Sequence, residues 1–109
     1  MSANMPERFN DVSVICKANI YFEGKVISHT ILFSDREKKT LGLIFPGSFK
    51  CNTDAPERME STSGNCRVRQ SGEEQWKPYP PGTFFMVPGK SSFEIAVDEG
   101  ILEYICSFE

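Results

Sequence analysis

Residues 82–97, GTFFMVPGKSSFEIAV, contain two short apolar runs separated by the turn-forming pair Pro88-Gly89. In the second run Phe93, Ile95 and Val97 alternate with Ser, Glu and Ala, and a period of two is typical of a β-strand with one buried face. Proline fixes φ and glycine permits turn conformations that other residues avoid, so the pair interrupts regular structure. The stretch therefore predicts two short strands joined by a turn.

The same alternation recurs in residues 25–33, 40–45 and 102–108, which are separated by clusters rich in Gly, Pro, Asp and Ser. No stretch carries an apolar stripe with sustained helical spacing. One segment competes with this pattern, because residues 54–60 begin like a capped helix. The polar residues 61–64 follow at once, so we expect at most one helical turn there. Short strands at this spacing predict an all-β antiparallel sandwich or barrel.

Size and composition narrow the classes of function. The chain has 109 residues, the length of one domain, and it is 39% hydrophobic and 25% charged, which excludes a disordered protein. Its formal charge is −3 with no basic run, which argues against nucleic acid as a partner. The longest apolar run falls far short of the roughly 20 residues that span a bilayer, so no membrane association is expected. The N-terminal residues lack the apolar core of a secretory signal, and we expect a cytoplasmic protein.

Cysteine and histidine usage limits the possible chemistry further. The four cysteines, at positions 16, 51, 66 and 106, lack the C-x-x-C spacing of zinc or dithiol motifs. Without a signal peptide, free thiols that pack as small hydrophobes are expected. His29 is the one histidine, so a site with several histidine ligands is impossible.

Two segments resemble the two motifs of the cupin superfamily, a small jelly-roll β-barrel. The first runs from Gly47 through Glu57 to Gly64, and the second from Gly82 to Phe93, with Gly89 one place before the glycine of the motif. Metal-binding cupins place two histidines, a glutamate and a third histidine at four positions of these motifs. In this chain those positions carry Cys51, Thr53, Glu57 and Phe93.

These departures predict a cupin without a metal. One thiol and one carboxylate stand where a metal cupin presents three imidazoles and a carboxylate, and they would leave a first-row metal short of ligands. A metal-dependent dioxygenase is therefore disfavoured.

A second resemblance covers almost the whole chain from Asn19 onward. The chain is similar to the small cupin family of bacterial pyrimidine/purine nucleoside phosphorylases. The matching motifs, in order, are Tyr21-Phe22-x-Gly24-Lys25-Val26, Pro46-Gly47-x-Phe49, Pro56-Glu57-x-Met59, Ser63-Gly64, Gly82-x-x-Phe85-x-Val87-Pro88-Gly89-x-Ser91-x-Phe93 and Tyr104-x-Cys106.

The resemblance divides the chain into a cupin domain over residues 19–109 and an N-terminal extension over residues 1–18. In the extension, Val12, Val14 and Cys16 alternate with other residues and are placed to form an extra edge strand.

The resemblance implies that a nucleoside and phosphate react to give the free base and ribose 1-phosphate, with broad tolerance for the base. Such an enzyme is a pentosyltransferase that uses phosphate as co-substrate and no other cofactor. A homodimer is also implied. The alternative is a non-catalytic, metal-free cupin that binds a small sugar, nucleoside or nucleotide.

Two polar residues at motif positions are candidates for catalysis. Glu57 is placed to point into the barrel, where it would bind ribose hydroxyls or stabilise a cationic sugar. Its structural alternative is to cap the turn at Pro56 or to pair with Arg58 or Arg67. Thr53 offers a hydroxyl to phosphate or sugar, or else ends a strand.

Substrate binding is assigned to one cation and several aromatic residues. Lys25 is the cation inside a matching motif and the candidate for phosphate, although a lysine that opens a strand is usually solvated. Phe93, Phe85 and Tyr104, with Tyr21, would line a base pocket, although alternating aromatics also form cores. For three further residues a structural role is predicted. Cys51 is expected to be a packed thiol, and Arg67 and Arg69 are expected to form a ladder of charged side chains on the surface.

Overall fold

The computed structural model describes residues 5–109 of the chain. Eleven strands fill most of this range. Their bounds are β1 (Ser13–Val14), β2 (Asn19–Tyr21), β3 (Val26–Leu32), β4 (Lys38–Ile44), β5 (Gly47–Asn52), β6 (Glu57–Ser63), β7 (Cys66–Gln70), β8 (Lys77–Tyr79), β9 (Thr83–Val87), β10 (Ser92–Val97) and β11 (Leu102–Phe108).

The strands form two antiparallel sheets. The larger has seven strands in the order β1-β3-β4-β11-β6-β9, with β2 also paired to β3, and the smaller has the order β5-β10-β7-β8. Sequence neighbours such as β9 and β10 lie in different sheets, as expected when strands cross between the layers of a jelly roll. The all-β prediction is confirmed.

The core lies between the inner faces of the two sheets. Phe93, Ile95 and Val97 of β10 are 4%, 0% and 2% exposed, so the period of two in the sequence identifies the buried face of this strand. Phe93 packs edge-on against Phe85 of β9, with ring centroids 5.7 Å apart.

Strand β4 carries apolar residues on both of its faces. Gly42 and Ile44 are buried on the inner face, whereas Leu41 is 39% exposed on the outer face. The Tyr104 ring lies directly against Gly42, where a Cβ would overlap it. A residue without a side chain is therefore required beneath this ring.

The helical turn allowed for residues 54–60 is wrong. Strand β6 begins at Glu57, and residues 54–56 form a bend held against the loop that precedes β10. The Lys90 amide donates to the Asp54 carbonyl at 3.1 Å, and the Thr53 amide donates to the Ser91 carbonyl at 2.9 Å. These bonds to a distant loop replace the local bonds that a helix would need.

The N-terminal extension contains a short edge strand in the structure. In β1, Ser13 pairs with Leu32 and Val14 with Ile31 of β3, and the Ile15 amide donates to the Thr30 carbonyl at 2.9 Å. Residues 1–4 of the extension lie outside the described range.

Helical structure within residues 5–109 is confined to one 3-10 turn, Phe22–Gly24. The described part of the chain has no helix with the length and apolar composition needed to cross a membrane.

Candidate active site

A cavity of about 400 Å³ opens between the two sheets. Its walls come from the inner faces of β3, β4, β6 and β11, from β5 and β10 of the smaller sheet, and from the turn Phe22–Gly24. The lining residues are Tyr21, Phe22, Val26, Ser28, Thr40, Ile44, Lys50, Cys51, Asn52, Glu57, Met59, Phe93, Ile95, Tyr104, Cys106 and Phe108.

Glu57 supplies the carboxylate of this cavity. It is the first residue of β6, and its Oε1 accepts a hydrogen bond from the Cys106 Sγ at 3.6 Å. Burial raises the pKa of Glu57, and the Cys106 hydrogen bond offsets part of that effect. The ion pairs expected between Glu57 and Arg58 or Arg67 are not formed. Arg58 pairs with Glu60 at 3.8 Å, and Arg67 pairs with Asp98 at 3.1 Å. Glu57 therefore faces the cavity as a partly desolvated carboxylate.

Two thiols lie in the same cavity. Burial, with a smaller contribution from the Glu57 charge, raises the pKa of Cys51 to about 11, and burial likewise raises the pKa of Cys106. Both groups are therefore neutral thiols near physiological pH and poor nucleophiles. Cys51 is half-buried, so the sequence interpretation of a packed thiol understates its contact with the cavity.

The ligand positions of metal-binding cupins do not form a metal site in the part of the chain that the structure describes. Cys51 and Glu57 line the cavity, but Thr53 does not, and Phe93 offers no donor atom. Within residues 5–109 no group of three or more His, Cys, Asp or Glu side chains is arranged to hold a metal ion.

The structure places Thr53 outside the cavity. Its hydroxyl donates to the Pro88 carbonyl at 2.6 Å and accepts from the Ser91 amide at 2.9 Å, and the residue is 7% exposed. These bonds join the loop after β5 to the loop before β10, which is a structural role.

The aromatic candidates divide into two groups. Phe93 and Tyr104 line the cavity, as the sequence analysis expects. Phe85 is 3% exposed and packs between Tyr79 and Phe93, with centroid distances of 4.8 and 5.7 Å, so it belongs to the core.

Lys25 lies outside the cavity, exposed just before β3. A different lysine, Lys38, is also exposed and is not a lining residue, but it shares the inner-face alternation of β4, two residues before the lining residue Thr40. The Lys38 Nζ lies 4.8 Å from the centroid of the Phe108 ring, which also lines the cavity. Lys38 lies outside the sequence motifs, yet counting back in steps of two from the buried Ile44 places it on the inner face of β4.

Phe22 in the turn Phe22–Gly24 and Tyr21, the last residue of β2, place aromatic side chains at the mouth of the cavity. Phe22, Glu23 and Gly24 have φ values of 52°, 56° and 90°, a run of left-handed residues that is costly for the two with side chains. The Phe22 ring packs on Phe49 with centroids 5.0 Å apart. Tyr21 and Phe22 remain 55% and 44% exposed. The sequence analysis named Tyr21 and missed Phe22, because nothing in the composition of the turn indicates positive φ at a phenylalanine.

Arg67 and Arg69 form a surface ladder away from the cavity. Arg67 pairs with Asp98 at 3.1 Å and Arg69 with Glu94 at 2.8 Å. Both guanidinium groups also lie over the Trp76 ring, at 4.7 and 4.8 Å from its centroid. Their donors are committed to these partners.

The fold and the cavity define a cupin-type barrel with a largely apolar pocket that contains the Glu57 carboxylate. Among solved structures, a protein of unknown function from Acinetobacter sp. ADP1 superposes with a TM-score of 0.91 at 45% identity, covering 94% of this chain and 98% of that one. The EutQ protein of Clostridium difficile superposes with a TM-score of 0.63 at 16% identity, covering 76% of this chain and 67% of that one, and it shows the fold alone.

Sequence relatives assign the family. Residues 16–108 match the family described as pyrimidine/purine nucleoside phosphorylase. Proteins of that name from Cupriavidus taiwanensis and Methylobacillus flagellatus are 55% and 54% identical, each over 94% of this chain and 96% and 98% of their own lengths. The chain belongs to the pyrimidine/purine nucleoside phosphorylase family.

Proposed function

We propose that this protein is a nucleoside phosphorylase that converts a nucleoside and inorganic phosphate into the free base and ribose 1-phosphate. As a pentosyltransferase it accepts both purine and pyrimidine nucleosides. Membership of the family supports the reaction. The observation that carries the site is the Glu57 carboxylate, which faces the cavity and forms no ion pair with a cation among residues 5–109.

Phosphorolysis passes through a transition state in which positive charge develops on the ribose. A carboxylate beside the sugar stabilises that charge and accepts hydrogen bonds from ribose hydroxyls, and partial burial strengthens both effects. Phosphate is the nucleophile, so no covalent enzyme intermediate is needed. The neutral thiols of Cys51 and Cys106 are compatible with that mechanism.

We propose Lys38 and Thr40 as the phosphate-binding groups in place of Lys25 and Thr53. Lys38 is a cation on the inner face of β4, and the neighbouring inner-face residue Thr40 lines the cavity with a hydroxyl donor. Phosphate is then the co-substrate, and the reaction uses no other cofactor.

The base binds against the aromatic residues of the cavity, Phe93 and Tyr104 inside and Tyr21 and Phe22 at the mouth. Stacking depends little on the identity of the base, because every base has a π-face. This arrangement supports turnover of both nucleoside classes.

A phosphorolysis assay tests the proposed function. Protein treated with chelator is incubated with uridine, inosine or guanosine, with and without phosphate, and the free base is separated by chromatography. We expect base release that requires phosphate and survives chelation. Saturable nucleoside binding without base release would overturn the proposal in favour of a binding protein, and activity that returns only with added metal would contradict the metal-free mechanism.

Four variants test the residue assignments. We expect Glu57→Gln to lower kcat/KM by a factor of roughly a hundred or more, because a neutral amide cannot stabilise a cationic sugar. Lys38→Ala should raise the KM for phosphate by about tenfold, whereas the matched Lys25→Ala should not. Thr40→Val should weaken phosphate binding in the same direction. A larger rise in the KM for phosphate in Lys25→Ala than in Lys38→Ala would instead identify Lys25 as the phosphate-binding lysine.

We also propose a homodimer. An apolar row crosses the outer face of the larger sheet, where Ile20 pairs with Ile27 and Ile27 with Leu43, and Ile20 is 62% and the nearby Leu41 39% exposed. A second copy would cover this row. Light scattering should give twice the monomer mass for the wild type and a lower mass for Ile20→Glu/Leu41→Glu, and a monomeric wild type would refute the dimer.

A cytoplasmic location is proposed as well. The four cysteines all lie in the described part of the chain and are all free, which is the usual state in a reducing compartment. Fractionation of cells that express a tagged chain should recover the protein with cytoplasmic markers.

A further inference from the structure

Strand β5 is an edge strand of the smaller sheet, so one of its two sides has no strand partner among the described residues. Its other side pairs with β10 in a register that opposes Cys51 to Phe93 and Asn52 to Ser92. An antiparallel pair alternates between residues that exchange main-chain hydrogen bonds and residues whose main-chain groups point away from each other.

Two hydrogen bonds fix which residues of β5 face the open side. The Thr53 amide donates to the Ser91 carbonyl at 2.9 Å, so Thr53 is a bonded position, as is Cys51 two residues before it. The Ser71 amide donates to the Ser92 carbonyl at 3.0 Å, so the main chain of Ser92 is directed to β7 and away from Asn52. The N–H and C=O groups of Lys50 and Asn52 therefore point away from β10, toward the unpaired side of β5.

The same two residues line the cavity. Phe49 is buried and Cys51 contacts the cavity from the inner face, so the alternation of the strand directs the side chains of Lys50 and Asn52 outward. Lys50 and Asn52 therefore contribute their main-chain groups to the cavity lining, at the open edge of β5.

Each of these residues offers one donor and one acceptor on the same side, the pair that normally exchanges two hydrogen bonds with a neighbouring strand. The Watson–Crick edge of every common base also carries a donor beside an acceptor. Uracil, hypoxanthine and guanine present a ring N–H next to a carbonyl, and cytosine and adenine present a ring nitrogen next to an amino group. A main-chain N–H and C=O pair can satisfy either order by a change in base orientation.

We propose that the open edge of β5, through the main-chain groups of Lys50 and Asn52, binds the Watson–Crick edge of the nucleobase. This inference rests on the proposed phosphorylase function and adds a basis for its broad base tolerance. A side chain that carries only a donor or only an acceptor would reject some bases strongly, because a buried polar group would be left unpaired. A main-chain pair accepts all of them.

Methylated substrates test the contact directly. In 3-methyluridine and 1-methylinosine the ring N–H is replaced by N–CH3, which removes the donor and obstructs the edge. We expect kcat/KM to fall by about thirtyfold or more relative to uridine and inosine, because the methyl group obstructs the edge and a main-chain acceptor loses its partner. In 5-methyluridine, the matched control, the methyl group lies away from this edge, and kcat/KM should stay within a few-fold of uridine.

Proline variants test the same contact from the protein side. Proline removes the amide hydrogen and is tolerated where that hydrogen is not part of a sheet ladder. We expect Lys50→Pro or Asn52→Pro to lower kcat/KM for uridine by about tenfold, the effect of losing one hydrogen bond to the base. Lys50→Ala and Asn52→Ala, which keep the amide, should lower kcat/KM much less than the corresponding proline variants do. Ser48→Pro, on the same open side but outside the cavity lining, controls for strain.

The outcomes separate this inference from the proposed function. Wild-type protein that releases no base from any nucleoside contradicts the phosphorylase itself. Wild-type protein that cleaves 3-methyluridine as well as uridine overturns only the edge contact. Alanine variants that lose as much activity as the proline variants would also overturn it, since the side chains would then be responsible. Should the proline variants fail to fold, the methylated substrates still decide the question.

Discussion

Glu57 illustrates how a single residue can serve the proposed reaction at the expense of the fold. Its carboxylate is partly buried and its hydrogen bond comes from a thiol, a weak donor. The pKa of Glu57 is raised above its ordinary value of 4.5 because burial disfavours the charged form. The stability associated with this group is therefore complete below that value and is lost as the pH rises through the folded-state pKa.

From this sign we predict that Glu57→Gln stabilises the protein at neutral pH while it lowers turnover. The neutral amide avoids the desolvation of a charge, so Tm should rise by roughly a few degrees near neutral pH, and the gain should shrink at about pH 4. Thermal unfolding followed by circular dichroism at the two pH values measures this. Glu99→Gln, at an exposed loop position, is the matched control, and an equal shift in both variants would contradict the prediction.

Thr53 shows the opposite division of roles, since its hydroxyl supports the fold and lies outside the cavity. We predict that Thr53→Val lowers the free energy of unfolding by ~1–3 kcal/mol, because the Pro88 carbonyl and the Ser91 amide lose their shared partner. The kcat/KM of the folded variant should be unchanged. Urea unfolding and the phosphorolysis assay together measure both quantities.

Thr83→Val provides the comparison for Thr53→Val, because the Thr83 hydroxyl donates to the Pro80 carbonyl at 2.7 Å in an exposed bond. Its cost should stay below ~1 kcal/mol, since water replaces the lost partner. A loss of turnover in Thr53→Val with unchanged stability would instead make Thr53 a catalytic residue.

At the scale of the element, the turn Phe22–Gly24 sets the mouth of the cavity. Its run of positive φ values is strained, and such strain persists where the surroundings hold the backbone in place. Here the Phe22–Phe49 ring contact and the bond from the Lys25 amide to the Phe22 carbonyl at 3.1 Å provide that support. The turn thereby keeps two partly exposed aromatic rings beside the cavity.

We predict that Tyr21→Leu and Phe22→Leu each lower kcat/KM for uridine and for inosine by roughly tenfold, because stacking of either base is weakened. Steady-state kinetics with both nucleosides measure the effect. Phe9→Leu is the control, since the Phe9 ring packs on Phe33 at 5.2 Å outside the cavity lining. Unchanged kinetics in both Tyr21→Leu and Phe22→Leu would show that the base does not stack on these two rings.

The success of sequence-based prediction varied from strand to strand for a physical reason. Strand β10 has its large apolar residues on one face only, so its alternation is visible in the sequence and the burial of that face follows. Strand β6 carries a polar inner residue, Glu57, next to the outward Arg58, and this hides the period of two that would have identified it. The strand that holds the candidate catalytic residue is therefore the one mistaken for a helix start.

The candidate site was only partly predictable for the same kind of reason. Motif positions identify Glu57, Phe93 and Tyr104, all of which line the cavity. Lys38 lies outside every motif, and the open edge of β5 is a property of sheet order that no single residue type encodes.

For the whole molecule, the four cysteines differ widely in accessibility. Cys16 is exposed, Cys51 is half-buried in the cavity, and Cys66 and Cys106 are buried. Burial raises the pKa of Cys51 and of Cys66 to about 11, which leaves little thiolate at neutral pH.

We predict three kinetic classes of thiol in a titration of the folded protein with a chromogenic disulfide. Cys16 should react first, Cys51 more slowly, and Cys66 and Cys106 only on unfolding, in line with their accessibility. Uridine together with phosphate should slow the Cys51 class and leave Cys16 unaffected. The variants Cys16→Ser and Cys51→Ser assign the classes, and a single rate for all four thiols would contradict the accessibility found in the structure.

The contact between Gly42 and the Tyr104 ring gives protein engineers independent control of the pocket's dimensions. A side chain at position 42 would press the phenol ring away from β4, and a smaller residue at position 104 would vacate the space that the ring fills. Strand β11 lies between β4 and β6, so Gly42 and Tyr104 lie on strands other than the one that carries Glu57, and paired changes at 42 and 104 can resize the chamber while the carboxylate stays in place. Catalysts for bulkier unnatural nucleosides can thus be sought at one position beneath the base-stacking ring and at the ring itself, with Glu57 unchanged.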